Sequence, residues 1–274
     1  MKTIALPKKI EFIKGIELNQ KRVIIEPCYP GYGATLGNSL RRVLLSSLPG
    51  AAVVGVKIKG ADHEFMALPH IKEDVLEIIL NLKQLRLKMF TEEMVKLELI
   101  VRGEKKVVAA NIDKNSQVEI INTDLVLAHI TDMSGVLEME IFTAPGKGYV
   151  TIENRENKIR ETGYIEMDSI FTPVLAVGIN VENVRVGKMT DWDKLILDIT
   201  TDGTITPEKA FADAVKILIE QFTALINDKQ SVKIAEINVD NSNAKQEDVE
   251  KEPIKESIVD EEVKLKKRGR PKKN

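Results

Sequence analysis

The chain has 274 residues, 43% of them hydrophobic and 30% charged, enough to bury one full core or a core with a smaller satellite. Its 40 Lys and Arg against 42 Asp and Glu leave a formal net charge of -2, which excludes a global field steering the molecule toward nucleic acid or an acidic membrane. A single cysteine, Cys28, excludes an internal disulfide framework and fits a reducing compartment as a small buried apolar residue. Residues 1–9 lack a signal-like apolar run, and no stretch reaches the roughly 18 apolar residues of a membrane span, so a cytoplasmic location or its organellar equivalent is expected.

The alternating run Lys21-Arg22-Val23-Ile24-Ile25-Glu26 predicts a strand that breaks at Pro27 and Pro30, and Gly31-Tyr32-Gly33 predicts a turn. Leu36, Leu40, Val43, Leu44 and Leu48 then keep the spacing of one helical face until Pro49-Gly50 ends it. Strands are expected over 53–58, 96–102, 118–121 and 137–142, interrupted by a helix over 71–82 whose apolar face is Val75, Leu76, Ile79 and Leu82. Further strands are expected over 171–184 and 195–200, with Asp191-Trp192-Asp193 as a polar turn before the second.

Thr206-Pro207-Glu208 is a helix start: threonine accepts from first-turn amides, proline suits the first helical position, and glutamate suits the positive end of the dipole. The helix should run to about 226, and its apolar residues cover far more than one stripe, so nearly every side needs a cover. Two readings fit: a central core helix of one subunit, or a helix shared between two copies, joined by the first helix in a self-complementary patch. Beyond 228 apolar residues thin out. An acidic block over 247–262 precedes a basic block over 264–273, and such segregated like charges favour a solvated, disordered segment.

Chemistry-bearing motifs are few. His63, His70 and His129 have no spacing that presents two of them to one metal beside a third ligand. The glycines at 31, 33 and 37 lie between a strand and a helix, yet Leu36 stands where a dinucleotide fingerprint needs its third glycine and Asn38-Ser39 where a triphosphate loop needs Lys-Ser or Lys-Thr. Two carboxylates in Asp191-Trp192-Asp193 lack the further ligands of a phosphoryl-transfer metal site, no serine sits in a Gly-x-Ser-x-Gly elbow, and Cys28 has no evident histidine base. No catalytic residue, cofactor or metal is expected.

The segment Gly31-Tyr32-Gly33-Ala34-Thr35-Leu36-Gly37-Asn38-Ser39-Leu40-Arg41-Arg42-Val43-Leu44-Leu45-Ser46-Ser47-Leu48-Pro49-Gly50 closely resembles the first helix of the α subunits of bacterial-type DNA-directed RNA polymerase. The likeness continues through His63-Glu64-Phe65, Glu73-Asp74-Val75-Leu76-Glu77-Ile78-Ile79-Leu80-Asn81-Leu82-Lys83, Gly146-Lys147-Gly148-Tyr149, Thr190-Asp191-Trp192-Asp193-Lys194-Leu195 and Thr201-Asp202-Gly203-Thr204-Ile205-Thr206-Pro207-Glu208-Lys209-Ala210. It implies an α+β fold: a dimerisation subdomain from residues 1–49 and 173–228, an inserted mainly β subdomain over 50–172, and a disordered acidic-then-basic tail over 229–274. It also implies a non-catalytic subunit that homodimerises and scaffolds assembly of the β and β′ subunits, in a bacterial cytoplasm or a plastid stroma.

Carried over by position, the resemblance places Leu36, Leu40, Leu44, Phe211, Val215, Leu218 and Phe222 at the dimer interface, Arg42, Leu45 and Lys83 against β, and Val174 and Lys194 against β′. An arginine can clamp a partner carboxylate with two hydrogen bonds, which makes Arg42 the expected anchor; otherwise it is a solvated helix arginine. The family's helical C-terminal DNA-binding domain has no counterpart in the charged tail, which has too few large apolar groups for a core. The tail's Lys266-Lys267-Arg268-Gly269-Arg270-Pro271-Lys272-Lys273 resembles an AT-hook, in which glycine admits the backbone to a narrow minor groove and Arg268, Arg270 and Pro271 flank it. The plainer reading is a solubilising basic end. The alternative function is a stand-alone dimer that binds DNA through this tail.

Overall fold

A computed structural model describes residues 4–155 and 161–227; the acidic and basic blocks, with Arg268, Gly269, Arg270 and Pro271, lie outside the described residues. In chain order the elements are β1 (Lys9–Lys14), β2 (Gln20–Cys28), α1 (Tyr32–Ser46), β3 (Pro49–Ile58), α2 (Val75–Leu82), β4 (Leu87–Met89), β5 (Val95–Arg102), β6 (Lys105–Val108), β7 (Val118–Ile120), β8 (Val126–Ile130) and β9 (Val136–Lys147). There follow β10 (Tyr149–Val150), β11 (Tyr164–Glu166), β12 (Ser169–Ile170), β13 (Val174–Val186), β14 (Met189–Thr201) and α3 (Pro207–Asn227). The chain is α+β.

The two ends of the described chain share one antiparallel sheet in the order β1-β2-β14-β13. Its register sets Leu197 opposite Val23 and Leu195 opposite Ile25, so their side chains share one face. Helices α1 and α3 cover that face, burying Leu40, Leu44, Ala210, Phe211 and Ala214 against it. Thr206 accepts a hydrogen bond from the Lys209 amide at 3.4 Å, as its capping role predicts, and Glu208 pairs with Lys21 of β2.

The structure corrects two local expectations here. Helix α1 begins at Tyr32, so Gly33, expected in the turn, stands inside it along with Gly37. The reason is close approach to the sheet: a Cβ on Gly33 would lie 2.9 Å from both Asp193 and Val181, and one on Gly37 would lie 2.9 Å from Leu195. Asp191-Trp192-Asp193 is not a turn but part of β14. Asp193 is buried and accepts from the Gly33 amide at 2.9 Å, supplying to the first turn of α1 the cap that Gly31 cannot.

The middle of the chain builds a second core. Strands β11-β3-β9-β5 form a four-stranded sheet, with β4-β7, β6-β8 and β10-β12 as two-stranded ribbons around it. Strand β5 alternates strictly buried and exposed, and Leu97 and Leu99 join Val56, Ile58, Ile141 and Met139 against Ile78 and Leu82 of α2.

Helix α2 starts four residues later than its apolar pattern suggests. Ile71 bridges to Ile130, and the Lys72 amide donates to the His129 carbonyl at 3.0 Å, so this stretch is extended until Asp74 caps the Glu77 amide at 2.7 Å. Between them Glu73 is buried, accepting from the His129 amide at 2.6 Å and from its ring Nδ1 at 2.5 Å. Burial alone would raise its carboxyl, but the hydrogen bonds from the ring and amide of His129 prevail and hold it below the ordinary carboxylate value.

Two outcomes follow. Asp193→Ala should cost about 1–3 kcal/mol in urea unfolding, because it orphans a buried helix amide and opens a gap. Glu73 has a depressed folded-state pKa, so its stabilisation is complete above the unfolded carboxylate value of roughly 4.3 and is lost as pH falls below it. Unfolding curves between pH 7 and 3 should therefore show a shallower acid limb for Glu73→Gln, with a loss of about 1.5–3 kcal/mol at pH 7.

Candidate assembly interface

The outward face of α1 carries Arg41 and Arg42, both exposed, with Leu45 half-buried beside them. Positions 38, 42 and 45 fall on one face at helical spacing, while Leu40 and Leu44 face the sheet. Neither arginine forms an ion pair with another described residue. Lys83 sits at the C-terminal cap of α2, and its Nζ lies 3.9 Å from Asp168 Oδ2. Asp168 also accepts from the Ile152 amide at 3.0 Å and the Tyr149 hydroxyl at 3.2 Å. The Ile152 hydrogen bond foremost, then Tyr149 and the charges of Lys83 and Arg155, outweigh burial and keep the Asp168 carboxyl below its usual range.

A chain of contacts joins these two groups. Ser46 donates to the Arg42 carbonyl at 2.8 Å, and its own carbonyl oxygen is 3.2 Å from where a Cβ on Gly148 would stand. The next residue, Tyr149, holds Asp168, which faces Lys83. The end of α1 and the end of α2 are thus linked through the Gly148–Tyr149 turn, and Leu45 keeps part of its side chain against the core of the two-ended sheet.

The residues expected against β′ divide. Val174 is 1% exposed at the start of β13 and has no surface to offer a partner; it fills the core under the sheet. Lys194 is partly exposed and reaches Glu182 on β13 at 3.5 Å.

The expected dimer residues divide too. Leu40, Leu44 and Phe211 are buried by their own subunit and so face inward, Phe211 packing edge-on against Phe12 with 5.8 Å between centroids. Leu36, Val215 and Leu218 are half-buried, and Phe222 is 58% exposed. From 219 to 226 every residue of α3 is exposed, leaving Ile219, Leu225 and Ile226 uncovered beside Phe222. Those three were missed as site residues. Their signal was present in the continued apolar spacing past Leu218, but spacing does not say which turns the chain itself covers.

Among the described residues no group of three or more His, Cys, Asp or Glu is placed to hold a metal, and no helix is long and apolar enough to cross a membrane. Cys28 is buried, and burial, with the Asp193 carboxylate nearby, pushes its thiol up. A groove of about 620 Å³ lies between Phe90, Leu97, Ile112 and Ile120, with Asp113, Lys114 and Glu119 also along it.

Residues 56–172, the β-rich middle with its own core, match the family described as the RNA polymerase Rpb3/RpoA insert domain. Over 88% of its length the chain is 46% identical to the DNA-directed RNA polymerase subunit alpha of Carboxydothermus hydrogenoformans, covering 77% of that protein. It is 44% identical to the protein of the same name from Oceanobacillus iheyensis across 91% of this chain and 79% of that one, and 43% identical to that of Alkaliphilus oremlandii across 91% and 78%. The chain belongs to the family of DNA-directed RNA polymerase α subunits.

Lys83 is one third exposed and its ion-pair partner Asp168 is 3.9 Å away, so the pair adds little to folding. Lys83→Ala should change unfolding free energy by less than about 1 kcal/mol. A larger loss in urea titration would make Lys83 a structural residue rather than a presented one.

Proposed function

We propose that the chain is a non-catalytic scaffold: it homodimerises, and the dimer gathers the β and β′ subunits that carry out RNA synthesis. The ends of the chain, 1–49 and 173–228, act as the dimerisation subdomain, and 50–172 acts as the inserted one. The observation that carries this reading is the run of four large apolar side chains, Ile219, Phe222, Leu225 and Ile226, left 58–76% exposed on the last turns of α3. Water does not favour such a run on a free surface, and at roughly 25 cal/mol per Å² its burial supplies a strong drive to pair. Ile10 and Phe12 of β1, 54% and 41% exposed, add further apolar surface on the helix-covered face of the sheet, where Phe12 meets Phe211. A second copy fits because a two-fold axis lets one patch meet itself.

Arg42 and Leu45 on α1, with Lys83, then serve as the contact to β. Arg42 pairs with no carboxylate among the described residues, so a partner's carboxylate can take its guanidinium bidentately. Lys194, beside the β13 edge, is the remaining candidate for β′.

Light scattering of the full chain tests the dimer. Wild type should run as a dimer, and Phe222→Asp combined with Leu225→Asp as a folded monomer; a monomeric wild type sinks the proposal. In co-expression with β and β′, Arg42→Ala should leave the dimer intact and cut recovery of β by about ten-fold or more.

A further inference from the structure

The contact proposed for β has two separated parts, Arg42 with Leu45 on α1 and Lys83 at the end of α2, and what lies between them has no role so far. Register decides what lies there. Strand β3 begins directly after α1, and its first residue, Pro49, pairs with Lys147, the last of β9. The β9–β10 turn is therefore set against the C-terminal end of α1, close enough that a Cβ on Gly148 would stand 3.2 Å from the Ser46 carbonyl, and Gly148 holds φ at +64.

What this turn presents is unlike an ordinary polar loop. Tyr149 is 59% exposed, yet its ring is fixed by the hydroxyl bond to Asp168 at 3.2 Å. Ile170, directly opposite in the β10-β12 ribbon, is 45% exposed and shares its face. Lys147 is exposed and forms no ion pair with another described residue, as is true of Arg41 and Arg42. The nearby carboxylate, Asp168, is already engaged by an amide, a hydroxyl and Lys83.

We infer that the turn bearing Lys147 and Tyr149, with Ile170 opposite, is the middle of the same docking surface, and that its partner is a protein surface offering carboxylates around an apolar socket for the Tyr149 ring. This rests on the reading of Arg42 and Lys83 as contacts to a larger subunit. Tyr149 is the anchor: a large side chain already ordered by Asp168 loses little freedom on docking. Asp168 is a positioning residue, acting through Tyr149 and Lys83. A nucleic-acid strand fits less well, since Ile170 and Leu45 reward apolar burial that phosphates do not provide.

The test uses the full chain and its β subunit, produced together, with binding measured over a series of salt concentrations. Tyr149→Ala and Ile170→Asp should each weaken β binding by about ten-fold or more, with dimer mass and thermal melting unchanged. Tyr149→Phe, which keeps the ring, should restore binding to within about three-fold. If Tyr149→Ala and Ile170→Asp bind like wild type while Arg42→Ala has lost β, this inference is overturned and the parent reading survives. If Arg42→Ala also binds like wild type, both fall. Retention of duplex DNA that Lys147→Ala abolishes, with β binding untouched, would assign the turn to nucleic acid and overturn the inference.

Discussion

Strand β14 pairs with β2 across most of the chain, and Arg22 clamps Asp198 with two hydrogen bonds from 176 residues away, at 2.7 and 3.1 Å. Closing a loop of that length costs on the order of 5 kcal/mol before any contact repays it. That exposed ion pair cannot supply the difference. The offset comes from the apolar residues the pairing aligns, Val23 and Ile25 with Leu195, Leu197 and Ile199, which give α1 and α3 a floor to cover. Without this pairing α1 and α3 would have no floor to cover.

The close seating of α1 is the second constraint. Two glycines one turn apart cost about 1 kcal/mol each in helix propensity, yet they let the helix axis approach β13 and β14 until side chains of Asp193, Val181 and Leu195 fill the space. Asp193 uses that closeness to reach the helix's first turn, so one carboxylate links the register of β14 to the position of α1. With its glycine side pinned, α1 has no freedom to roll, and Arg41 and Arg42 must point outward.

Much of this was legible in the residues. The helical faces of α1 and α3, the Thr206-Pro207 start and the β-rich middle follow from period and capping chemistry. What failed did so where a partner lay far away in sequence. Asp193 looks like a turn residue because the amide it serves belongs to the other end of the chain, and Ile71 looks helical because its partner, Ile130, cannot be seen locally. Leu40, Leu44, Phe211 and Val174 carry the apolarity an interface needs, but the same apolarity serves a core, and only the fold decides between them. The composite surface around Tyr149 had no local signal, since its members come from α1, α2, the β9–β10 turn and β12.

Helix α3 divides along its length. Up to Ala214 it is committed to the sheet, burying Ala210 and Phe211 as part of the subunit's own core. Beyond Leu218 the same helix continues with its residues from 219 to 226 exposed. Because the two halves are one rigid rod, any shift of the sheet floor would tilt the exposed half, and a second copy that meets it would sense whether the first has closed β2 onto β14. A patch on a loop would lack that coupling. A dimer formed through the end of a core helix, as proposed above, would make pairing contingent on folding.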